Sequence, residues 1–178
     1  MNRIETARLI LMPMTADDFE PLCTLWSNED FVRDITRRPL TPEEVWMRLL
    51  RDIGHWQVFG YGNWSIRLKA GGRLKDGGDW IGSVGIFNYM RDIEPAFDAP
   101  EMGWGLDPAH HGHGYAREAV SAVLDLADGD LSLDRTLCMI SHDNEPSRKL
   151  ARKAGFRYRH DVTYHGEIAS VFERLRPG

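Results

Sequence analysis

Cysteine is nearly absent from this chain: Cys23 and Cys138 are the only two among 178 residues. Two distant thiols cannot build the disulfide framework that staples small secreted domains, and each sits in an apolar pattern, so both read as core thiols. Long apolar runs are missing as well. No stretch approaches the ~20 residues that a membrane-spanning helix requires. The first residues, MNRIETARLILMPM, place an acid before a short apolar run and offer no small-residue cleavage site, so a cytoplasmic protein with no membrane partner is expected. Positive charge is in deficit, with 22 Lys and Arg against 27 Asp and Glu for a net charge of -5. Without a clustered basic surface the chain lacks the means to hold nucleic acid by neutralising phosphates. Internal repeats and low-complexity tracts do not occur. HExxH, CxxC, the Walker Gly-Lys-Ser/Thr and the three-glycine dinucleotide fingerprint are absent too.

What is present is the composition of a folded protein, with 42% hydrophobic and 28% charged residues and six Trp. The length suits one core, and a single domain over residues 1–178 is expected. RLILMPM reads as a strand that stops at Pro13. TADDFEPLCTLW reads as a helix opened by Thr15 and Asp18, and TPEEVWMRLLRDI as a second with Thr41 as N-cap, Pro42 in first position and Glu44 closing a capping box. NWSIRLK and WIGSVGIFN alternate and pair as an antiparallel hairpin across the turn AGGRLKDGGD. EMGWGL is a strand with Met102, Trp104 and Leu106 on one face and Glu101, Gly103 and Gly105 on the other. Ala116, Ala119, Val120, Val123, Leu124 and Ala127 mark the clearest helix. TLCMI is a short buried strand, NEPSRKLARKAGF a helix stopped by Gly155, and the tail forms two strands around Gly166. A parallel βαβ unit spans Glu101 to Ile140.

LDPAHHGHGYAREAV, between that strand and that helix, admits three readings. His110, His111 and His113 with Asp107 offer metal ligands, but neighbouring histidines on a loop rarely converge on one ion. Gly112 and Gly114 permit a close backbone approach to an anion at the helix N-terminus, where up to four N–H groups lack partners. A solvated glycine turn is the third reading.

The order of four pieces, TARLILMP, EMGWGLDP, HGHGYAREA and NEPSRKLARKAGF, resembles the GNAT acetyltransferase superfamily, and more narrowly its ribosomal-protein N-terminal acetyltransferase branch. The family's Gln/Arg-x-x-Gly-x-Gly/Ala motif is matched by His111, Gly112, His113, Gly114, Tyr115 and Ala116 at all but the first position, where His111 stands. The resemblance implies an α/β (α+β) fold with a mostly antiparallel mixed sheet flanked by helices. It also implies a splayed parallel pair between the Glu101 strand and the Cys138 strand, forming the cleft that acetyl-CoA enters. Cofactor contacts are then expected from Leu106, His111, Gly112, His113, Gly114, Tyr115, Ala116 and Asn144, with no metal.

The implied reaction is attack of a neutral primary amine on the thioester. Glu101, facing a surface of glycines, is the expected base, and burial beside Trp and Met would raise its pKa; the other reading is a Glu that ends a loop and pairs with an arginine. The resemblance assigns the backbone N–H of Trp104 to the oxyanion and the hydroxyl of Ser147 to the leaving thiol, with Tyr158 and Tyr164 as other donors. Asp92, Glu94 and Asp98 are further candidates for holding a cationic amine, which the net acidity suits. Two competing classes are a non-catalytic acyl-CoA-binding module and a metal-dependent protein using the histidines. The partner is an amine, either a small molecule or a protein N-terminus, selected by NEDFVRDITRRP, GHWQVFGYGN and the tail; the protein is a monomer or homodimer.

Overall fold

The computed structural model describes residues 3–69 and 78–178. In chain order the elements are β1 (Ile4–Glu5), β2 (Leu9–Pro13), α1 (Phe19–Ser27), α2 (Glu29–Val32), α3 (Pro42–Phe59), β3 (Asn63–Leu68) and β4 (Trp80–Phe87). They continue with β5 (Glu101–Leu106), α4 (Tyr115–Asp128), β6 (Arg135–Ser141), α5 (Glu145–Lys153), β7 (Arg157–Tyr164) and β8 (Glu167–Leu175). The strands form one sheet in the order β1-β2-β3-β4-β5-β6-β8-β7. Every neighbouring pair is antiparallel except β5 and β6. The mixed, mostly antiparallel sheet with one parallel pair is the architecture expected above.

Local chemistry accounts for most boundaries. Thr41 Oγ1 accepts the Glu44 N–H at 3.3 Å while the Glu44 carboxylate accepts the Thr41 N–H at 2.9 Å, and α3 ends at Gly60 with φ of 73°. The Asp18 carboxylate accepts the Thr15 N–H at 2.8 Å as that spacing predicts, but it closes a 3-10 turn, Ala16–Asp18, so α1 begins only at Phe19. Asp18 is buried and also pairs with Arg67 at 2.6 Å, and this tie to β3 holds the turn in place. α2 is absent from the sequence reading because four residues are too few to show a period; Asn28 starts it by accepting the N–H groups of Asp30 and Phe31. β3 and β4 pair as expected, while most of their turn, residues 70–77, lies outside the described residues. Cys138 is buried, Cys23 is half-buried, and both are free thiols.

The sheet buries both faces. Leu9, Leu11, Ile66, Val84, Ile86 and Met102 pack with Ala119, Val120, Val123 and Leu124 of α4. On the opposite face α1 and α3 cover the sheet through Leu22, Val45 and Leu49, which pack with Met14 just past the end of β2. Among the described residues, no helix is long and apolar enough to cross a membrane.

β4 and β5 share six register pairs, whereas β5 and β6 share one, Glu101 with Leu137. Beyond that pair β5 and β6 have no further register partners, which leaves a cleft between them on the Leu106 side. Gly82 sets the closeness of β4 to β5 at the far end of this cleft. Its φ is 153°, and a Cβ there would lie 2.2 Å from the Gly105 carbonyl oxygen and 2.8 Å from Leu106 Cα. Both obstacles are backbone, so neither gives way to a rotamer change. Gly82→Ala is expected to cost about 2–3 kcal/mol by overpacking and strain. Urea denaturation reads this as a lower midpoint at unchanged slope, and an unshifted midpoint refutes it.

Candidate active site

The open edge of β5 has a defined polarity. The Leu137 N–H donates to the Pro100 carbonyl at 2.9 Å, and the Asp107 N–H donates to the Ile81 carbonyl at 2.9 Å. Backbone groups alternate along a strand, so those of Gly103 and Gly105 point to β4 while those of Met102, Trp104 and Leu106 point to β6. Since β6 has already splayed away, the N–H groups of Trp104 and Leu106 face the cleft with no strand opposite them. An extended ligand can add there as a strand does. His111 Nε2 lies 3.1 Å from the Leu106 carbonyl oxygen, so this side chain folds back onto the end of the same edge.

At the mouth of the cleft the loop turns sharply into α4. Asp107 Oδ1 accepts the Ala109 N–H at 2.9 Å and starts a short 3-10 turn, Pro108–His110. Gly112 and Gly114 then take φ of 79° and 80°, a left-handed conformation that side chains with a Cβ adopt only under strain. Gly114 is the N-cap of α4, which no side chain caps among the described residues, whereas Thr41 caps α3 and Asn144 caps α5. The first-turn N–H groups of the longest apolar-faced helix on this side of the sheet are thus left to an anion, favoured further by the dipole. These features fit the pyrophosphate of acetyl-CoA.

The three histidines diverge. His111 is tied to Leu106, the His113 ring stacks on Tyr115 at 5.6 Å, and His110 Nδ1 is buried without a partner among the described residues. Among the described residues no group of three His, Cys, Asp or Glu is arranged to hold a metal ion.

Arg8, which nothing in the pattern of TARLILMP marks out, holds this loop. Its Nη1 donates to the His113 carbonyl at 2.8 Å, its Nε to Glu118 at 2.6 Å, and its guanidinium carbon lies 4.6 Å from the Tyr115 ring centroid. Thr6 Oγ1 and the Arg8 N–H donate to the other Glu118 oxygen, at 2.6 and 2.8 Å. Burial acts to raise the Glu118 pKa, but these bonds and the Arg8 charge prevail and hold it below the ordinary value.

On the opposite face, Glu101 is 5% exposed and is gripped by Arg91, Nε to Oε2 at 2.6 Å and Nη2 to Oε1 at 2.9 Å. Burial raises its pKa; the Arg91 bonds and charge offset this only in part. Arg91 lies in YMRDIEPAFDAP, which the sequence presents as an acidic stretch. The glycine face of β5, expected to be bare, is covered: a Cβ on Gly103 would lie 2.9 Å from the Phe87 ring and one on Gly105 2.8 Å from the Phe31 ring. The glycines make room for aromatic rings that come from elsewhere in the chain. Tyr89 stacks on Phe87 at 4.0 Å, donates its hydroxyl to Asp52 at 2.6 Å and accepts from Asn63 at 2.6 Å. Burial pushes its phenol well above the usual range.

The remaining candidates separate. The Arg91 guanidinium carbon is 4.9 Å from the Tyr164 ring centroid, so Tyr164 adjoins the Glu101 ion pair, whereas Tyr158 is 58% exposed and leans edge-on against Phe172. Asp98 pairs with Arg135 at 3.0 Å and Arg159 at 3.1 Å, which hold its carboxyl at about 2, while Asp92 and Glu94 are exposed. Asn144 Oδ1 accepts the Ser147 N–H at 3.1 Å. Ser147 is half-buried, and its hydroxyl makes no hydrogen bond among the described residues.

Comparison with known proteins bears on the family and the fold. Residues 8–157 match the family model described as an acetyltransferase (GNAT) domain. The uncharacterized N-acetyltransferase p20 of Bacillus licheniformis is 29% identical over 157 residues, covering 88% of this chain and 83% of that protein. The acetyltransferase from Agrobacterium tumefaciens strain C58 superposes with a TM-score of 0.80 at 26% identity, over 97% of this chain and 94% of that one. A ribosomal L7/L12 α-N-protein acetyltransferase, RimL, solved with coenzyme A, shares the fold at a TM-score of 0.76 and 17% identity, over 98% of both chains.

Arg8→Ala is expected to raise the dissociation constant for coenzyme A about fivefold, the ~1 kcal/mol of a half-exposed charge-assisted hydrogen bond. Isothermal calorimetry reads it, and an unchanged constant removes Arg8 from the cofactor loop. The family match runs from the start of β2 to the start of β7 and takes in every element that shapes the cleft. On that ground the chain belongs to the GNAT acetyltransferase family and is an acetyl-CoA-dependent acetyltransferase.

Proposed function

We propose that the protein transfers the acetyl group of acetyl-CoA to a primary amine, on a small molecule or a protein N-terminus, by direct attack on the thioester. The observation that carries this reading is the unpaired edge of β5, which lies between the buried Glu101 and the uncapped N-terminus of α4. The cofactor's pyrophosphate then rests on the amides of residues 112–116, and its pantetheine runs along Leu106 and past Asn144. His111 either keeps its bond to Leu106 or yields that carbonyl to the pantetheine.

The amine nitrogen forms a bond to the thioester carbon, and the carbon–sulfur bond breaks. Glu101 receives the amine proton through water, because Arg91 occupies one acceptor site on each oxygen and a carboxylate has about four. The Trp104 N–H stabilises the oxyanion. The thiolate takes its proton from Ser147, with Tyr164 as the other donor within the site. RimL is named for a ribosomal protein N-terminus, which supports that class of acceptor here. A cytoplasmic monomer or homodimer suits this work.

Release of free thiol from acetyl-CoA against a panel of amines tests the reaction; binding with no release from any amine leaves a non-catalytic acyl-CoA module. Glu101→Gln should lower kcat about a hundredfold, the lower range for a general base. A base must be deprotonated, so kcat should fall as pH drops through the raised pKa of Glu101, and this acid limb should vanish in the variant. A parent rate across pH in Glu101→Gln would falsify the assignment. Ser147→Ala should lower kcat only about tenfold, because a thiol of pKa ~8.5 leaves with little help.

A further inference from the structure

Around the covered face of β5 the contacts form a ring. Phe31 fills the space over Gly105, Trp26 meets Phe31 edge-on at 5.1 Å, and the Arg48 guanidinium carbon lies 4.6 Å from the Trp26 ring centroid. From the other side Tyr89 stacks on Phe87 over Gly103, and the Arg51 guanidinium carbon sits 3.7 Å from the Tyr89 ring centroid. Arg48 and Arg51 are on the same stretch of α3, so the ring closes there.

The charges inside this ring do not cancel. Arg51 pairs with Asp52 at 3.0 Å, and Arg91 pairs with Glu101 at 2.6 Å. Asp52 Oδ1 also accepts the Tyr89 hydroxyl. Arg48 is half-buried and has no ion pair or hydrogen bond among the described residues. Desolvation and the like charge of Arg51, with a smaller part from Arg91, disfavour its charged form, and Asp52 and Tyr89 offset that cost only in part. Three guanidinium groups thus share this ring with two carboxylates, and Arg48, the one without a carboxylate, keeps its planar fork of N–H donors unpaired among the described residues, linked to β5 through Trp26 and Phe31. Such a fork matches a carboxylate bidentately.

We infer that Arg48 binds a carboxylate carried by the acceptor, so that the preferred substrates are amines bearing a carboxylate, from a free amino acid or from the acidic side chain of a peptide N-terminus. This rests on the amine-transfer reading above and names its substrate class. It reverses the expectation of a cationic acceptor drawn from net charge, because the local charge around Glu101 is positive where the whole chain is negative.

Two matched pairs separate the sources: alanine against alaninamide, and Glu-Ala-amide against Gln-Ala-amide. With saturating acetyl-CoA, the carboxylate member of at least one pair should show a kcat/KM at least tenfold higher, carried by KM. Arg48→Met should abolish that preference and Arg48→Lys should keep part of it; Arg48→Gln replaces Arg48→Met should the latter fail to fold. The same ligands are titrated by calorimetry with coenzyme A bound, which needs no turnover. Absence of a carboxylate preference in both measurements, or a preference that survives Arg48→Met, overturns the inference. Arg48-dependent carboxylate binding with no thiol released from any amine supports the site and overturns the transfer reading instead.

Discussion

The early end of the β5–β6 ladder is the constraint on which the rest of the site depends. Backbone donors and acceptors must be paired or wet, and a strand edge abandoned inside a sheet is costly unless something else takes its place. Here the ladder stops after a single register pair, and the next backbone groups on that side of β5 belong to Trp104 and Leu106. The protein fills only the last of these positions itself, with the His111 imidazole on the Leu106 carbonyl. A cleft left open in this way demands rigidity on its other wall. The six register pairs between β4 and β5, pressed close at Gly82, provide it.

Electrostatics divides the two ends of the cleft. At the α4 end the field comes from helix amides and from Arg8, arranged around carbonyl and carboxylate acceptors on the loop and helix. At the Glu101 end it comes from a buried ion pair. Such pairs seldom stabilise a fold, because desolvating two charges costs as much as their attraction returns. Retaining one beside an open strand edge is therefore better explained by what it does for a ligand than by stability. Arg91 fixes the carboxylate in one orientation, and the surrounding low dielectric keeps its proton affinity high.

How far the sequence alone discloses this follows from the range of each interaction. The helix after the glycine loop, the capping box at Thr41 and the faces of β5 rest on neighbours within a few residues, and all were legible. The parallel βαβ unit from Glu101 to Ile140 was legible in the order of elements, but its early splay was legible only through the resemblance, since nothing in TLCMI or EMGWGL states how many residues will pair. Contacts between distant segments were not legible. Arg8 meets a carbonyl in the His113 loop from the far end of the chain, and Phe31 comes from α2, a helix too short to show a period. Glu101 illustrates both sides: its strand position and burial were deduced, while the arginine that grips both its oxygens sits in a stretch that reads as acidic.

The glycine face of β5 shows how a correct local reading leads to a wrong surface. Gly103 and Gly105 lack side chains, and their strand face invited a ligand in the sequence reading, yet Phe87 and Phe31 occupy the space. The consequence reaches beyond packing. Aromatic rings laid on the glycines bring Trp26 and Tyr89 with them, and these in turn hold Arg48 and Arg51 against their faces. A cation over an aromatic ring gains roughly 0.5–2 kcal/mol, enough to hold a guanidinium in place but less than a buried charge loses in hydration. The two missing side chains on β5 are thus what allow positive charge to gather beside Glu101. Overall net charge is therefore a poor guide to the field beside Glu101, because that field is set by the few groups that share its desolvated surroundings.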